Sequence, residues 1–267
     1  MIEVLQKKFL LALLPLITFV TEPQAQEVLQ YQTDIQGNSY TIFDQEIVKF
    51  NAASKEEFRY SNKLLGNISI LDVTNPLRPL IFYEDVQKLV ITDNTLSKQN
   101  QQVINFEDLS MFQIKCVATS RIDNGTWVYD QESLQIVKLN RTLERVVETG
   151  NLLQLLHLSE FHPTKMVEKS GYLYVYCPVN GFLIFDIYGT FYKTIPITEV
   201  AVWNIIDEQI LYVKHRESFV YHLKDFVSEP LATTYPKSNK ILWIDKQYLY
   251  HGEGNEVFKT PLIAPKK

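Results

Sequence analysis

The residues best equipped for chemistry are five histidines: His157, His162, His215, His222 and His251. His157 and His162 stand five apart on a stretch ending at Pro163, and His215 and His222 stand seven apart across an expected hairpin. A zinc site needs ligand pairs at short spacing, completed by Cys, His or a carboxylate. Neither pair has such company, so solvated or packed imidazoles are expected. Ser, His and Asp are all present, but no Gly-x-Ser-x-Gly elbow presents a nucleophile. No glycine-rich loop cradles a phosphate. Asp123-Asn124-Gly125 carries carboxylate and amide oxygens that could suit calcium, yet no EF-hand spacing follows. A tight turn is the expectation there. No catalytic, cofactor-binding or metal-ligating residue is therefore assigned, and no cofactor is expected.

Two further segments carry local character. Asp72-Val73-Thr74-Asn75-Pro76-Leu77-Arg78-Pro79 holds two X-Pro steps, which favour a turn followed by extended chain. It reads as a loop entering a strand, with a rigid rim loop presenting Arg78 as the functional alternative. Asn67, Asn124 and Asn140 open N-x-Ser/Thr triplets, a pattern that also arises by chance.

The elements that would position any site are strands. Gly125-Thr126-Trp127-Val128-Tyr129, Gly171-Tyr172-Leu173-Tyr174-Val175-Tyr176, Gln209-Ile210-Leu211-Tyr212-Val213 and Gln247-Tyr248-Leu249-Tyr250 are one phrase repeated, with starts 46, 38 and 38 residues apart. A period near 40 filled only with strands is the signature of a propeller blade of four antiparallel strands. Strands are expected over 114–121, Trp127 to Asp130, Leu134 to Leu139 and Arg145 to Thr149. The next blade runs over 164–169, 172–177, 182–187 and 191–197, and the following one over 200–206, 209–214, 218–223 and 230–234. A last blade has only three strands, 239–244, 247–251 and 255–259. Earlier in the chain, Ser39 to Phe43, Glu46 to Phe50 and Phe58 to Tyr60 make one blade. Ile68 to Val73, Leu80 to Tyr83, Leu89 to Thr92 and Val103 to Phe106 make another, with Ser97 to Gln102 as a loop.

The expected fold is thus all-β: a single β-propeller of six blades, each of four antiparallel strands. An open edge strand invites aggregation. The alternating segment 27–32 is therefore expected to pair with the strand around 255–259 and close the ring.

Lys7 and Lys8 precede an apolar run from Phe9 to Val20, followed by Pro23 and Ala25. This is the layout of a secretory signal peptide, too short to span a bilayer. Residues 1–25 are read as the signal and 26–267 as the propeller domain. The product is expected to be periplasmic, outer-membrane-associated or extracellular, with no transmembrane segment. The net charge of −5 argues against a nucleic-acid partner. Fifteen Tyr, fifteen Phe and three Trp supply strand formers for a core of this size. Cys116 and Cys177 could pair in an oxidising compartment. They fall on different strands of adjacent blades, so two free thiols are expected.

The phrase Gly181-Phe182-Leu183-Ile184-Phe185-Asp186-Ile187-Tyr188-Gly189-Thr190-Phe191 resembles the blade core of six-bladed propellers of the NHL type. There a third strand ends in Asp, turns on Gly and resumes with an aromatic. Leu71-Asp72-Val73-Thr74-Asn75-Pro76-Leu77 is similar to a segment of uncharacterised exported proteins of Bacteroidetes. Neither resemblance implies an activity. The functional expectation is a monomeric protein- or glycan-binding module of the cell envelope. The alternative is a propeller lyase or metal-dependent hydrolase with its site at the channel mouth.

Overall fold

The computed structural model describes residues 27–237 and 239–263; the signal-peptide expectation for 1–25 lies outside them. Six antiparallel sheets follow one another along the chain. Blade one holds β1 (Gln30–Thr33), β2 (Ser39–Ile42), β3 (Glu46–Phe50) and β4 (Glu56–Ser61). Blade two holds β5 (Ile70–Asp72), β6 (Leu80–Tyr83), β7 (Lys88–Thr92) and β8 (Lys98–Asn105). Blade three holds β9 (Ile114–Thr119), β10 (Thr126–Asp130), β11 (Gln135–Leu139) and β12 (Arg145–Glu148). Blade four holds β13 (Lys165–Lys169), β14 (Tyr172–Cys177), β15 (Gly181–Asp186) and β16 (Phe191–Ile195). Blade five holds β17 (Val200–Ile206), β18 (Gln209–Lys214), β19 (Glu217–His222) and β20 (Val227–Leu231). Blade six holds β21 (Lys240–Ile244), β22 (Tyr248–Glu253) and β23 (Glu256–Pro261). Helical structure is slight: a 3-10 turn at Phe106–Leu109 and a short α1 at Leu152–Leu156. No described helix is long and apolar enough to cross a membrane.

Burial grades outward along each sheet. Second strands such as β6 and β10 are buried at every position, because both of their faces meet a neighbouring blade. Outermost strands such as β12 are mainly exposed. The large side chains of the second and third strands fill the seams between blades, as Trp127, Tyr129, Leu173 and Phe185 do between blades three and four.

The turns follow a repeat of their own. Asn51, Asp93, Asn140 and Asp186 each end a third strand, and each side-chain oxygen accepts the backbone N–H groups two and four residues on. The residue three positions on is left-handed every time: Ser54, Leu96, Leu143 and Gly189. This is a hairpin built on an Asx turn with a left-handed closing residue. Only one copy uses glycine there.

Two sequence expectations are corrected, and one alternative reading is set aside. The first concerns closure. β1 pairs with β2, from Gln30 opposite Ile42 to Thr33 opposite Ser39, and not with β23. β1 completes blade one, and among the described residues blade six has three strands. The reason is local. Asp34 accepts from the N–H groups of Gln36 and Asn38, which folds a short hairpin. Closing a short loop costs less entropy than joining opposite ends of the chain. Second, backbone over 98–102, read as a loop, belongs to β8. The loop expected before a strand does enter β6, and the alternative for it falls: Arg78 is not presented freely on the rim. It is half-buried, and its guanidinium meets the Gly125 carbonyl at 3.4 Å and Thr126 Oγ1 at 3.5 Å, bracing blade two on blade three.

What holds the ring is a set of polar bonds across every seam. Gln30 and Gln32 donate to the carbonyls of Ser69 and Leu71 at 3.1 and 2.7 Å, joining blades one and two. Asp72 accepts from the Thr119 N–H at 2.6 Å, joining two and three. Glu168 accepts from the Arg121 N–H at 2.8 Å and from Trp127 Nε1 at 2.6 Å, joining three and four. Lys165 donates to the Trp203 carbonyl at 2.8 Å, joining four and five. Asn204 donates to the Ile244 carbonyl at 3.1 Å, joining five and six. The last seam is made by Trp243 Nε1 on Thr33 Oγ1 at 3.0 Å, by the Val28 N–H on the Gly254 carbonyl at 2.9 Å, and by the Tyr31 and Tyr250 rings 4.7 Å apart.

Cys116 and Cys177 are free and fully buried in the core between blades three and four. They share one cluster, closer than their strand positions suggested, yet each thiol donates to its own acceptor, Pro163 O and Asn180 Oδ1. Burial pushes the Cys116 thiol well above its ordinary range, which suppresses the reactive thiolate. Neither thiol is expected to react with a disulfide reagent in the folded protein within minutes, and both are expected to react once guanidinium unfolds it. Fast reaction in the native state, or a mass two hydrogens short with no labelling, contradicts this.

Candidate functional site

The inner strands of all six blades surround a central channel with a cavity of about 1050 Å³. These strands run in the same sense, so residues ending them gather at one mouth. Asp34, Asp72, Arg121, Lys169, Asp207, Asp245 and Lys246 line it there. Deeper in lie Lys165, Asn204, Trp203 and Trp243, with Tyr31, Tyr248 and Tyr250 at the seam of blades six and one.

The carboxylates at the mouth are engaged in holding turns. Asp34 accepts the Tyr40 hydroxyl at 2.9 Å besides its two backbone bonds. Asp245 does the same work in blade six, accepting the Tyr250 hydroxyl at 2.8 Å and the N–H groups of Gln247 and Tyr248. Burial first and the neighbouring carboxylate second push both tyrosines far above their ordinary pKa. Asp72 accepts backbone N–H groups on both oxygens, from Thr74 and Thr119. Asp207 faces Lys246 at 3.0 Å in an exposed pair. Carboxylates so engaged are orienting groups, poorly placed to take a substrate proton.

Lys165 differs from them. It opens β13 with a single acceptor, the Trp203 carbonyl. Its ammonium stands 4.6 Å from the Trp203 ring centre and 4.4 Å from that of Trp243. No carboxylate among the described residues lies within ion-pair distance. Burial pushes its pKa down to about 7, with Asp72 acting the other way. The two indole faces also favour the ammonium.

None of the five histidines lines the channel. His157 caps α1 in a left-handed conformation and is exposed. His162 and His215 are exposed beside Glu160 and Glu199. His222 is half-buried near Gln209 and Glu229. His251 is buried in blade six between the Tyr235 and Phe258 rings, bonded to Asn239 and Thr260, and burial lowers its pKa. The sequence pairs are not brought together, and no three His, Cys, Asp or Glu side chains among the described residues converge to hold a metal. Asp123, read as a turn, is one: its carboxylate accepts the Gly125 N–H and pairs with the buried Lys138 at 2.8 Å.

The sequence gives Lys165 no mark, because a single Lys opening a strand carries no pattern. The signal that could have raised it is its place at the start of an inner strand, one blade before Trp203 and two before Trp243.

No protein-family model matches the chain, and no curated protein does. Solved structures match its fold. The WD40 domain of Neurospora crassa Pan2 superposes with a TM-score of 0.63 at 11% identity, covering 91% of this chain and 90% of that one. A streptogramin B lyase gives 0.58 at 9%, covering 93% and 86%. A catalytically inactive virginiamycin B lyase from Staphylococcus aureus with quinupristin gives 0.58 at 11%, covering 90% and 96%. At such identities the likeness is one of fold alone.

Proposed function

We propose that this chain is an exported binding module of the cell envelope, related to the NHL-like propellers and to the Bacteroidetes proteins its sequence resembles. Its ligand is a glycan or a protein loop seated in the channel mouth. One observation carries the reading: the channel sets aromatic faces (Tyr31, Tyr248, Trp243) beside amide, hydroxyl and ammonium groups in a cavity of about 1050 Å³. Ligand sites are concave, with a few polar groups fixing orientation among apolar surface. Stacking faces beside mixed donors and acceptors suit a sugar ring especially well. The mouth carboxylates, bonded to their own turns, support binding over acid–base turnover.

The lyase reading takes its support from the two lyases of like fold. Against it stands the placement of every histidine outside the channel.

The test is a titration of the purified protein with cello-, chito- and malto-oligosaccharides, read by tryptophan emission and calorimetry. Binding by at least one series is expected, weakened about tenfold by Tyr248→Ala, roughly the loss of one stacking contact. Binding that ignores Tyr248, or no binding by any sugar or by peptides from envelope proteins, overturns the channel reading. Cleavage of a bound sugar favours the enzyme. Export is tested separately: protein from the envelope fraction should begin near Gln26.

A further inference from the structure

We propose that the ligand of the channel mouth is an acidic oligosaccharide, and that Arg121 and Lys169 together hold one of its uronate carboxylates. The inference deepens the binding reading. It rests on that reading for the sugar rings, and on the distribution of charge around the mouth for the acid group.

Charged side chains of the two signs line the channel in equal number, four of each, but they are not mixed. Blades two, three and four contribute Asp72 against Arg121, Lys165 and Lys169. Blades five, six and one contribute Asp34, Asp207 and Asp245 against Lys246. One side of the ring is therefore net positive and the other net negative. On the negative side every carboxylate has its partners. Asp34 and Asp245 each hold turn N–H groups and a tyrosine hydroxyl, and Asp207 pairs with Lys246 at 3.0 Å. On the positive side the single carboxylate, Asp72, accepts the N–H groups of Thr74 and Thr119. Lys165, between its two indole rings, adds charge there and is already bonded to the Trp203 carbonyl. Arg121 and Lys169 have no carboxylate within ion-pair distance among the described residues.

These two cations are neighbours. Arg121 stands just past β9 and Lys169 ends β13, and the two inner strands lie side by side. The Arg121 N–H bonds at 2.8 Å to Glu168, the residue before Lys169. Glu168 itself is buried in the seam and does not line the channel. Asp123, in the same turn as Arg121, pairs with Lys138 at 2.8 Å. Burial first and the Arg121 charge second lower the Lys169 pKa, while Asp207 acts the other way. Two like charges side by side in a cleft attract an anion, and the low-dielectric walls focus their field on it. A carboxylate fits the pair: the guanidinium takes both oxygens in a fork, and the ammonium adds a point contact. Tyr31, Tyr248 and Trp243 line the same cavity from blades one and six, so a saccharide filling it meets ring faces on one side and cations on the other.

The experiment titrates the purified full chain with tetramers of galacturonate and of mannuronate, each beside its own methyl ester, which keeps the sugar and removes the charge. At least one acid tetramer is expected to bind about tenfold or more tightly than its ester at low salt, and to lose most of that preference as salt shortens the reach of the field. Arg121→Gln and Lys169→Gln should each weaken the acid by about fivefold to tenfold and leave the ester unchanged. Lys55→Gln, at an exposed lysine outside the channel, should change neither. A thermal scan checks that each variant is folded. Equal binding of acid and ester, or acid binding indifferent to both substitutions at the mouth, overturns the proposal. If the esters then still bind through Tyr248, the binding module stands without its acid site. A triglutamate peptide bound as tightly as the acid tetramers overturns the saccharide assignment. Acid binding that needs Arg121 and Lys169 but ignores Tyr248 supports the acid site and removes the stacking platform, and no binding of either form overturns both.

Discussion

Trp127→Ala is expected to destabilise the protein by about 5 kcal/mol, the upper end of what truncating a buried tryptophan costs. That is comparable with the whole stability of many domains. Trp127 is fully buried at the seam of blades three and four. Its indole N–H is one of two donors that satisfy the buried Glu168, and the Lys138 ammonium lies 5.2 Å from its ring centre. Alanine therefore leaves a cavity and also a buried carboxylate short of a donor, and the second loss adds to the first. Two further variants separate these terms. Trp127→Phe keeps most of the volume and removes the donor, and should cost about 2 kcal/mol. Glu168→Gln keeps an acceptor and should cost less. Urea unfolding followed by circular dichroism measures all three. A loss below about 1.5 kcal/mol for Trp127→Ala would show that this seam does not carry the fold.

The other large effect belongs to β1. Deleting residues 27–33 is expected to abolish cooperative unfolding, leaving aggregated or molten product. The deletion removes the inner strand of blade one, the two glutamine bonds to blade two, and the Thr33 hydroxyl that receives Trp243. Two seams go at once, and the inner edge of β2 is laid open beside the buried Tyr40 and Ile42. Edge strands so exposed pair with other chains. Size-exclusion chromatography and a thermal scan decide the matter. A monomer melting at the same temperature as the intact chain would refute the architecture described for the last seam.

How far the sequence revealed this fold follows from which signals are local. The six-blade count came from second strands, whose aromatic and β-branched runs are buried on both faces and so stand out at any position. The first strand of blade one is visible in the sequence, but its partner is not. An alternating hexapeptide says that a strand exists and nothing about which edge it joins; Asp34 and its turn hold that information. The Asx repeat at Asn51, Asp93, Asn140 and Asp186 is as regular as the aromatic phrase, but only Gly189 marks its left-handed position in the expected way. Ser54, Leu96 and Leu143 hide it, because nothing in their side chains announces a positive φ. The candidate site was less legible still. Channel residues come from the inner strands of six blades, and no linear motif joins Lys165 to Trp203 and Trp243. Arg78 is a brace, and not the presented residue of the alternative reading, because Gly125 and Thr126 of the next blade stand beside it.

Among the described residues no strand is swapped between the first and last blades, and this sets the order of events in time. Each described sheet is made from one continuous stretch of chain, so blade one can complete before blade six has been synthesised. The bonds across the first five seams join residues between 38 and 47 positions apart, so each waits only for the blade that follows. The contact between Trp243 and Thr33 spans 210 positions and comes last. Growth is then vectorial, with short-range closures preceding one slow long-range one. Until that final contact forms, the chain exposes the open flanks of blades one and six, and these are the surfaces a chaperone would have to cover.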